Sequence, residues 1–195
     1  NKVIDSDPKN FKAYYNRGEA YYKKNDFDKA ISDFNKAIEL KPKDSDVYQA
    51  RGISYGKKGN FDQAITDFDK AIAIDPKNAK AYAGRGLTYG MKGNLDQAIS
   101  DFDKAIAIDP SDSMAWNVRG LEYAEKGNFD KAVSNFNKAI ELNPKNANAY
   151  TSRGYVYHKK ASLWGGALNY DKEINLLNQA ISEYDRAIKI DPNLF

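Results

Sequence analysis

The stretch FDQAITDFDKAIAIDP, residues 61–76, returns as LDQAISDFDKAIAIDP at residues 95–110, 34 positions on. FDKAISDFNKAIELKP (27–42) precedes this pair and FDKAVSNFNKAIELNP (129–144) follows it, at the same interval of 34. A self-similarity period in the range of roughly 20–50 residues marks a chain built from stacked supersecondary units. Within each copy, residues equivalent to Ala64, Phe68 and Ala71 fall at i, i+4 and i+7, one face of a helix, and Pro76 stops it. Upstream of every copy stand an arginine–glycine pair and a tyrosine: Arg17-Gly18 with Tyr21, Arg51-Gly52 with Tyr55, Arg85-Gly86 with Tyr89, Arg119-Gly120 with Tyr123. Arg153-Gly154 with Tyr157 opens a fifth. Tyr48, Gly52 and Tyr55 again repeat at i, i+4 and i+7, so a first helix precedes each second one. Gly59-Asn60 separates the two, glycine suiting a left-handed helix end and asparagine an N-cap. A mid-helix glycine costs about 1 kcal/mol against alanine. Its recurrence in five copies therefore predicts close helix–helix approach at that point.

The order large–small–tyrosine, then alanine–aromatic–alanine, then proline, on a 34-residue period, resembles the tetratricopeptide repeat (TPR) family. The resemblance implies an all-α fold, a right-handed superhelical solenoid of antiparallel helix pairs, whose work is binding protein rather than catalysis. The sequence reads as one array: intact repeats at 11–44, 45–78, 79–112 and 113–146, and an interrupted fifth at 147–195. Residues 1–10, NKVIDSDPKN, align with the end of a preceding repeat, so the chain is expected to start inside a structural unit. The fifth repeat gains the 14 residues ASLWGGALNYDKEI, positions 161–174, with Trp164 and a Gly165-Gly166 hinge. Tyr170, Ile174, Leu177, Ile181 and Tyr184 then keep a helical stripe, predicting a second helix that begins early and protrudes. Trp164 reads either as a binding anchor or as packing on the terminal hairpin. An array ending here without a polar capping helix reads as an excised fragment, as capped by the protruding segment, or as self-associating through its open end.

Composition narrows the function classes. The chain is 42% apolar and 29% charged, with mean hydropathy −0.75. Its 30 basic and 27 acidic residues are interspersed, leaving a net charge of +3 and no domain-wide basic field for nucleic acid. No run of 18 apolar residues encodes a membrane span, and no basic-then-apolar leader opens the chain; the compartment stays open. With no cysteine, disulfides, thiolate catalysis and cysteine zinc sites are excluded. His158 is the single histidine and no carboxylates cluster beside it in sequence. No serine-nucleophile signature or phosphate-cradling glycine loop appears. No enzyme activity, cofactor or metal is expected.

The arginines from Arg17 to Arg153 could form an anion-binding ladder. The second-helix residues Asp33, Asp67, Asp101, Asn135 and Glu183 stand in register with them, so the expected role is semi-buried pairs that hold each hairpin. Pairs such as Asp67-Phe68-Asp69 read as a solvated face with helix-dipole compensation. The lysine pairs Lys23-Lys24, Lys57-Lys58 and Lys159-Lys160 end first helices, where cations suit the dipole; an RNA-binding edge is the alternative.

At about 100° per residue, offsets 4, 8 and 11 of each first helix make the core stripe, and offsets 2, 5, 9, 12 and 13 a second one. In the TPR family that second stripe lines the concave groove holding peptides or partner helices. Carried over, it gives Lys12, Tyr15, Glu19, Tyr22 and Lys23 in repeat one, and Asp46, Gln49, Ile53, Gly56 and Lys57 in repeat two. Repeat three supplies Lys80, Ala83, Leu87, Gly90 and Met91; repeat four supplies Met114, Asn117, Leu121, Ala124 and Glu125. Repeat five adds Asn148, Thr151, Tyr155, His158 and Lys159. Ile53, Leu87, Leu121 and Tyr155 share offset nine, an apolar row that suits an amphipathic helix or apolar peptide anchor. The same row could instead pack against neighbouring first helices. The carboxylate clamp of chaperone-binding members is missing, since Tyr15, Glu19, Ala50 and Gly84 stand where its lysine and asparagines would. The asparagine ladder of some glycosyltransferase arrays is missing too, as Asn16 has no counterpart. The reading is a scaffold for a protein or peptide ligand; the alternative is a regulatory or substrate-presenting segment of a larger enzyme or assembly complex.

Overall fold

The computed structural model describes residue 4, residues 6–164 and residues 170–193. From Phe11 onward the described residues form ten α-helices and no strand. They fall into two compact units, Asn1–Ile108 and Asp109–Phe195. The first holds α1 (Phe11–Lys23), α2 (Phe27–Leu40), α3 (Ser45–Lys57), α4 (Phe61–Ile74), α5 (Ala79–Met91) and α6 (Leu95–Ile108). The second holds α7 (Ser113–Glu125), α8 (Phe129–Leu142), α9 (Ala147–Trp164) and α10 (Tyr170–Ile190).

Local chemistry sets the helix ends. Asn10 accepts from the Ala13 N–H at 3.0 Å, and Asn78 from the Ala81 N–H at 2.9 Å, each satisfying an orphan donor of a first turn. Asn60 occupies the N-cap of α4 but its side chain makes no capping bond. Between the helices of repeats two, three and four the chain turns through a positive φ, at +81° for Gly59, +77° for Gly93 and +76° for Gly127. Repeat one manages the same turn with Asn25 at φ 59°, asparagine being the residue best able to replace glycine there.

The core is a repeated aromatic: Phe34, Phe68, Phe102 and Phe136 are all fully buried, each flanked by buried alanines. The first-helix glycine lies directly over that ring. A methyl on Gly18 would stand 2.7 Å from Phe34 Cε1, and one on Gly120 2.6 Å from Phe136 Cε1. This is the close approach that the five glycines predict.

The arginines are consumed by structure. Arg17 donates Nε and NH2 to the two oxygens of Asp33, both at 2.7 Å, and Arg51 and Arg85 grip Asp67 and Asp101 the same way. Asp101, through its hydrogen bond, holds the pKa of Arg85 above its already high value. The guanidinium also lies over a ring three residues back, 5.6 Å from the Tyr48 centroid for Arg51 and 4.6 Å from Trp116 for Arg119. No anion ladder is left over.

The Asp-Phe-Asp pairs differ from the expected solvated face. Asp67 is buried on its own repeat's Arg51, while Asp69 accepts from Arg85 NH1 of the next repeat at 2.5 Å. Two carboxylates flanking a core aromatic therefore reach the arginines of two successive repeats. The lysines ending first helices also cross between repeats: Lys58 reaches Asp28, Lys92 reaches Asp62, and Lys160 reaches Asp130 at 2.7 Å. These lysines are part of the stacking.

In the second unit α9 runs 18 residues and α10 runs 21, where other first and second helices run 13 and 14. The second helix does begin early. Beyond the insertion the arginine clasp re-forms: Arg153 NH2 donates to Glu183 Oε2 at 2.6 Å, thirty residues on instead of the usual sixteen. Glu183 takes only that one donor from Arg153, its other oxygen lying 3.9 Å from Arg186, and the buried Arg153 Nε makes no hydrogen bond. The Trp164 side chain and Gly165-Gly166 lie outside the described residues. The stripe Tyr170, Ile174, Leu177, Ile181, Tyr184 is not the buried face of α10. Leu176, Ala180, Glu183 and Ala187 are buried instead, and Ile181 is 57% exposed. The equivalent Ile31 of repeat one is only 8% exposed, because α3 packs on α2 and no described helix packs on that face of α10.

Candidate peptide-binding face

In each unit the first helices touch one another in succession, α1 with α3 and α3 with α5, and separately α7 with α9. Each unit thus presents a layer of first helices, and on its second stripe Tyr15, Tyr22, Ile53 and Ala124 pack partly against the core while Leu87, Leu121 and Tyr155 are exposed. Because that stripe sits at offsets spaced three and four apart, its side chains share one side of each helix.

In the first unit Lys12, Lys57 and Lys80 are exposed, and Tyr15, Glu19, Tyr22, Gln49 and Ile53 are half-buried. Leu87 is 38% exposed and Met91 65%. Tyr15 stacks on Phe11 with centroids 6.3 Å apart and leans on Phe34 at 5.9 Å, while Tyr22 tilts on Phe27 at 5.7 Å. Burial, then the Glu19 carboxylate, raises the pKa of both phenols, and Asp46 and Asp44 add to the effect at Tyr15. Tyr15 and Glu19 lie on one side of α1, and α3, which carries Asp46, touches α1.

In the second unit Met114, Glu125, Asn148 and His158 are exposed, Thr151 is half-buried, and Leu121 and Tyr155 are 39% and 46% exposed. Asn117 is the exception. It is 8% exposed, and its Oδ1 is buried with no hydrogen-bond partner. At offset nine the apolar side chains of Leu87, Leu121 and Tyr155 all keep more than a third of their surface in water, rather than being sealed by neighbouring first helices.

Two features carry no sequence signal of their own. Glu122, on α7, is half-buried, and desolvation followed by repulsion from Glu125 raises its pKa. A cleft of about 490 Å³ opens beside the lengthened α9, lined by Phe129, Asp130, Lys160 and Leu163 among others. It exists only because the insertion carries α9 past the turn of repeat four. Among the described residues no group of three or more His, Cys, Asp or Glu is placed to hold a metal ion, and no helix is long and apolar enough to cross a membrane.

Pairs of antiparallel helices on a 34-residue period, each pair clasped by its own arginine, define a helical-hairpin repeat protein. Family models described as Tetratricopeptide repeat match residues 11–44 and 79–112, and 34–66 and 102–134; one described as TPR repeat matches 54–93 and 120–160. The chain belongs to the tetratricopeptide repeat family. No curated protein matches it. Among solved structures it is similar to MamA, at 26% identity over 90% of this chain and 94% of that one, with a TM-score of 0.73. A MamA from Desulfovibrio magneticus RS-1 matches at 18% identity over 94% and 96%, TM-score 0.74. YrrB, described as a TPR protein with an unusual peptide-binding site, matches at 23% identity over 99% and 92%, TM-score 0.69. The family and these neighbours support a protein–protein interaction scaffold, a fold that is typically non-catalytic.

Proposed function

We propose that the chain binds an extended peptide or a helix of a partner protein on the first-helix face of a unit, with Ile53 and Leu87 as the apolar anchor in the first unit and Leu121 and Tyr155 in the second. The observation that carries this reading is the exposure of Leu87, Leu121 and Tyr155, at 38%, 39% and 46%, on helices whose other faces are packed. Apolar side chains held half in water by a stiff layer can be covered by a ligand with little reordering of the protein, which keeps the entropic cost of binding low. Gly56, Ala83, Gly90 and Ala124 leave room beside the row, and Lys12, Lys57, Lys80 and Glu125 give it a polar rim.

The test is affinity capture with the whole chain against a Leu87→Asp, Leu121→Asp variant whose helical content, by circular dichroism, matches the wild type. Covering the exposed 38% of one leucine is worth about 0.6–1.1 kcal/mol on the usual scale for burying that side chain. The carboxylates add a desolvation penalty on top. Partner capture by the variant should fall at least tenfold. Undiminished capture by a folded variant would overturn the assignment.

A further inference from the structure

Most rings on the first helices already hold a cation of their own chain. Arg17 lies over Tyr14, Lys29 over Tyr21, Arg51 over Tyr48 and Tyr55, and Lys159 over Tyr155, all between 5.4 and 5.9 Å. The stretch Tyr15–Glu19–Tyr22 does not. These residues fall at i, i+4 and i+7 on one side of α1, and among the described residues neither ring carries a cation. Among the described residues the Glu19 side chain makes no ion pair, nor does that of Asp46 on the adjoining α3. Both rings are pinned from behind, Tyr15 by Phe11 and Phe34 and Tyr22 by Phe27, so their open faces are held in place before any ligand arrives. Among the described residues Lys12 and Lys23, a turn or less beyond either end, reach no carboxylate within ion-pair distance, and Asp44 is taken by Lys41 at 2.6 Å.

We infer that this end of the face takes a lysine or arginine side chain of the bound peptide, seated against the Tyr15 and Tyr22 rings with Glu19 and Asp46 as counter-charges. The inference rests on the peptide-binding reading and specifies its ligand: a segment with apolar residues for Ile53 and Leu87 and a basic residue toward repeat one. Two half-buried phenols give the cation an aromatic surface that water cannot match, and the carboxylates set its sign. The shifted phenol pKa values agree, since both rings feel the Glu19 charge.

The experiment is selection of a random 12-residue peptide display library on the whole chain, repeated on a Glu19→Gln, Asp46→Asn variant and on Leu87→Asp. Wild-type selections should carry apolar residues with lysine or arginine at a fixed spacing to one side. Synthetic copies should weaken about threefold to tenfold on the charge variant, and replacing their basic residue by norleucine should cause the same loss on wild type but none on the variant. Apolar peptides without a basic preference, or a preference that survives in the charge variant, overturn the cation site and leave the face standing. Basic peptides that bind Leu87→Asp undiminished overturn the apolar row and leave the cation site standing. A selection that enriches nothing on the wild type overturns both.

Discussion

Two glycines of the first unit should respond to the same substitution in opposite directions. Gly18 and Gly56 both lie inside first helices, where alanine gains about 1 kcal/mol from propensity alone. A methyl at Gly56 meets nothing nearer than Ala64 Cβ and Thr88 Oγ1, both at 3.9 Å, which is ordinary contact. At Gly18 it would stand 2.7, 2.9 and 3.1 Å from three ring carbons of Phe34. That ring cannot swing aside, because it is wholly buried and Tyr15 leans on it at 5.9 Å. Overpacking of this kind costs about 1–3 kcal/mol. Gly56→Ala should therefore gain about 1 kcal/mol, and Gly18→Ala should end between neutral and about 2 kcal/mol less stable than wild type. Urea unfolding followed by circular dichroism at fixed m-value reads the difference directly, and in a thermal scan each kcal/mol moves the midpoint by about 2–4 °C at this size. Equal stabilisation by the two variants would refute the claim that helix approach explains the repeated glycine.

Three further outcomes follow from the same geometry. Asp67→Ala should cost about 3 kcal/mol by leaving Arg51 without its buried partner, whereas Asp67→Asn should cost about 1, because Asn135 already fills that slot in repeat four and accepts from Arg119 Nε at 2.8 Å; denaturant titration ranks them. Burial and Glu125 raise the pKa of Glu122, so its protonated form is the one the fold favours; that contribution is full below the ordinary glutamate range and is lost as pH rises through the raised value. Glu122→Gln should therefore be more stable than wild type at pH 7, with the advantage vanishing below about pH 4, as paired urea titrations at the two pH values would show. Leu87→Asp alone should cost about 1–2 kcal/mol in urea unfolding, since nearly two thirds of the residue is buried, while leaving helical content unchanged and weakening ligand capture.

The fold was legible because its determinants recur. A 34-residue period, a glycine over a phenylalanine and an arginine sixteen residues before a carboxylate can all be counted along the chain. Even the insertion obeys that count, since the Arg153–Glu183 clasp moves to thirty residues and re-forms. Burial on the groove stripe was less legible. Asn117 and Gln49 share an offset, yet the first is buried with an unpaired oxygen and the second is half open, a difference set by packing that no periodicity records. Asp69 does lie on the exposed face, but its partner, Arg85, belongs to the next repeat, and pattern within one repeat does not reveal it. The unpaired Tyr15–Glu19–Tyr22 stretch stood in plain view at i, i+4 and i+7, but its distinction is that its neighbours already hold cations and it does not, which required the side-chain positions.

Methyl resonances offer the most direct test of peptide binding on the first-helix face. A peptide from the display selection, titrated into the isoleucine-, leucine- and methionine-methyl-labelled chain, should shift Ile53, Leu87 and Met91 on the first helices of the first unit. Ile74, Ile108 and Ile188, exposed on the second helices, should hold still. Shifts confined to those second-helix isoleucines, with the offset-nine row unmoved, would contradict it.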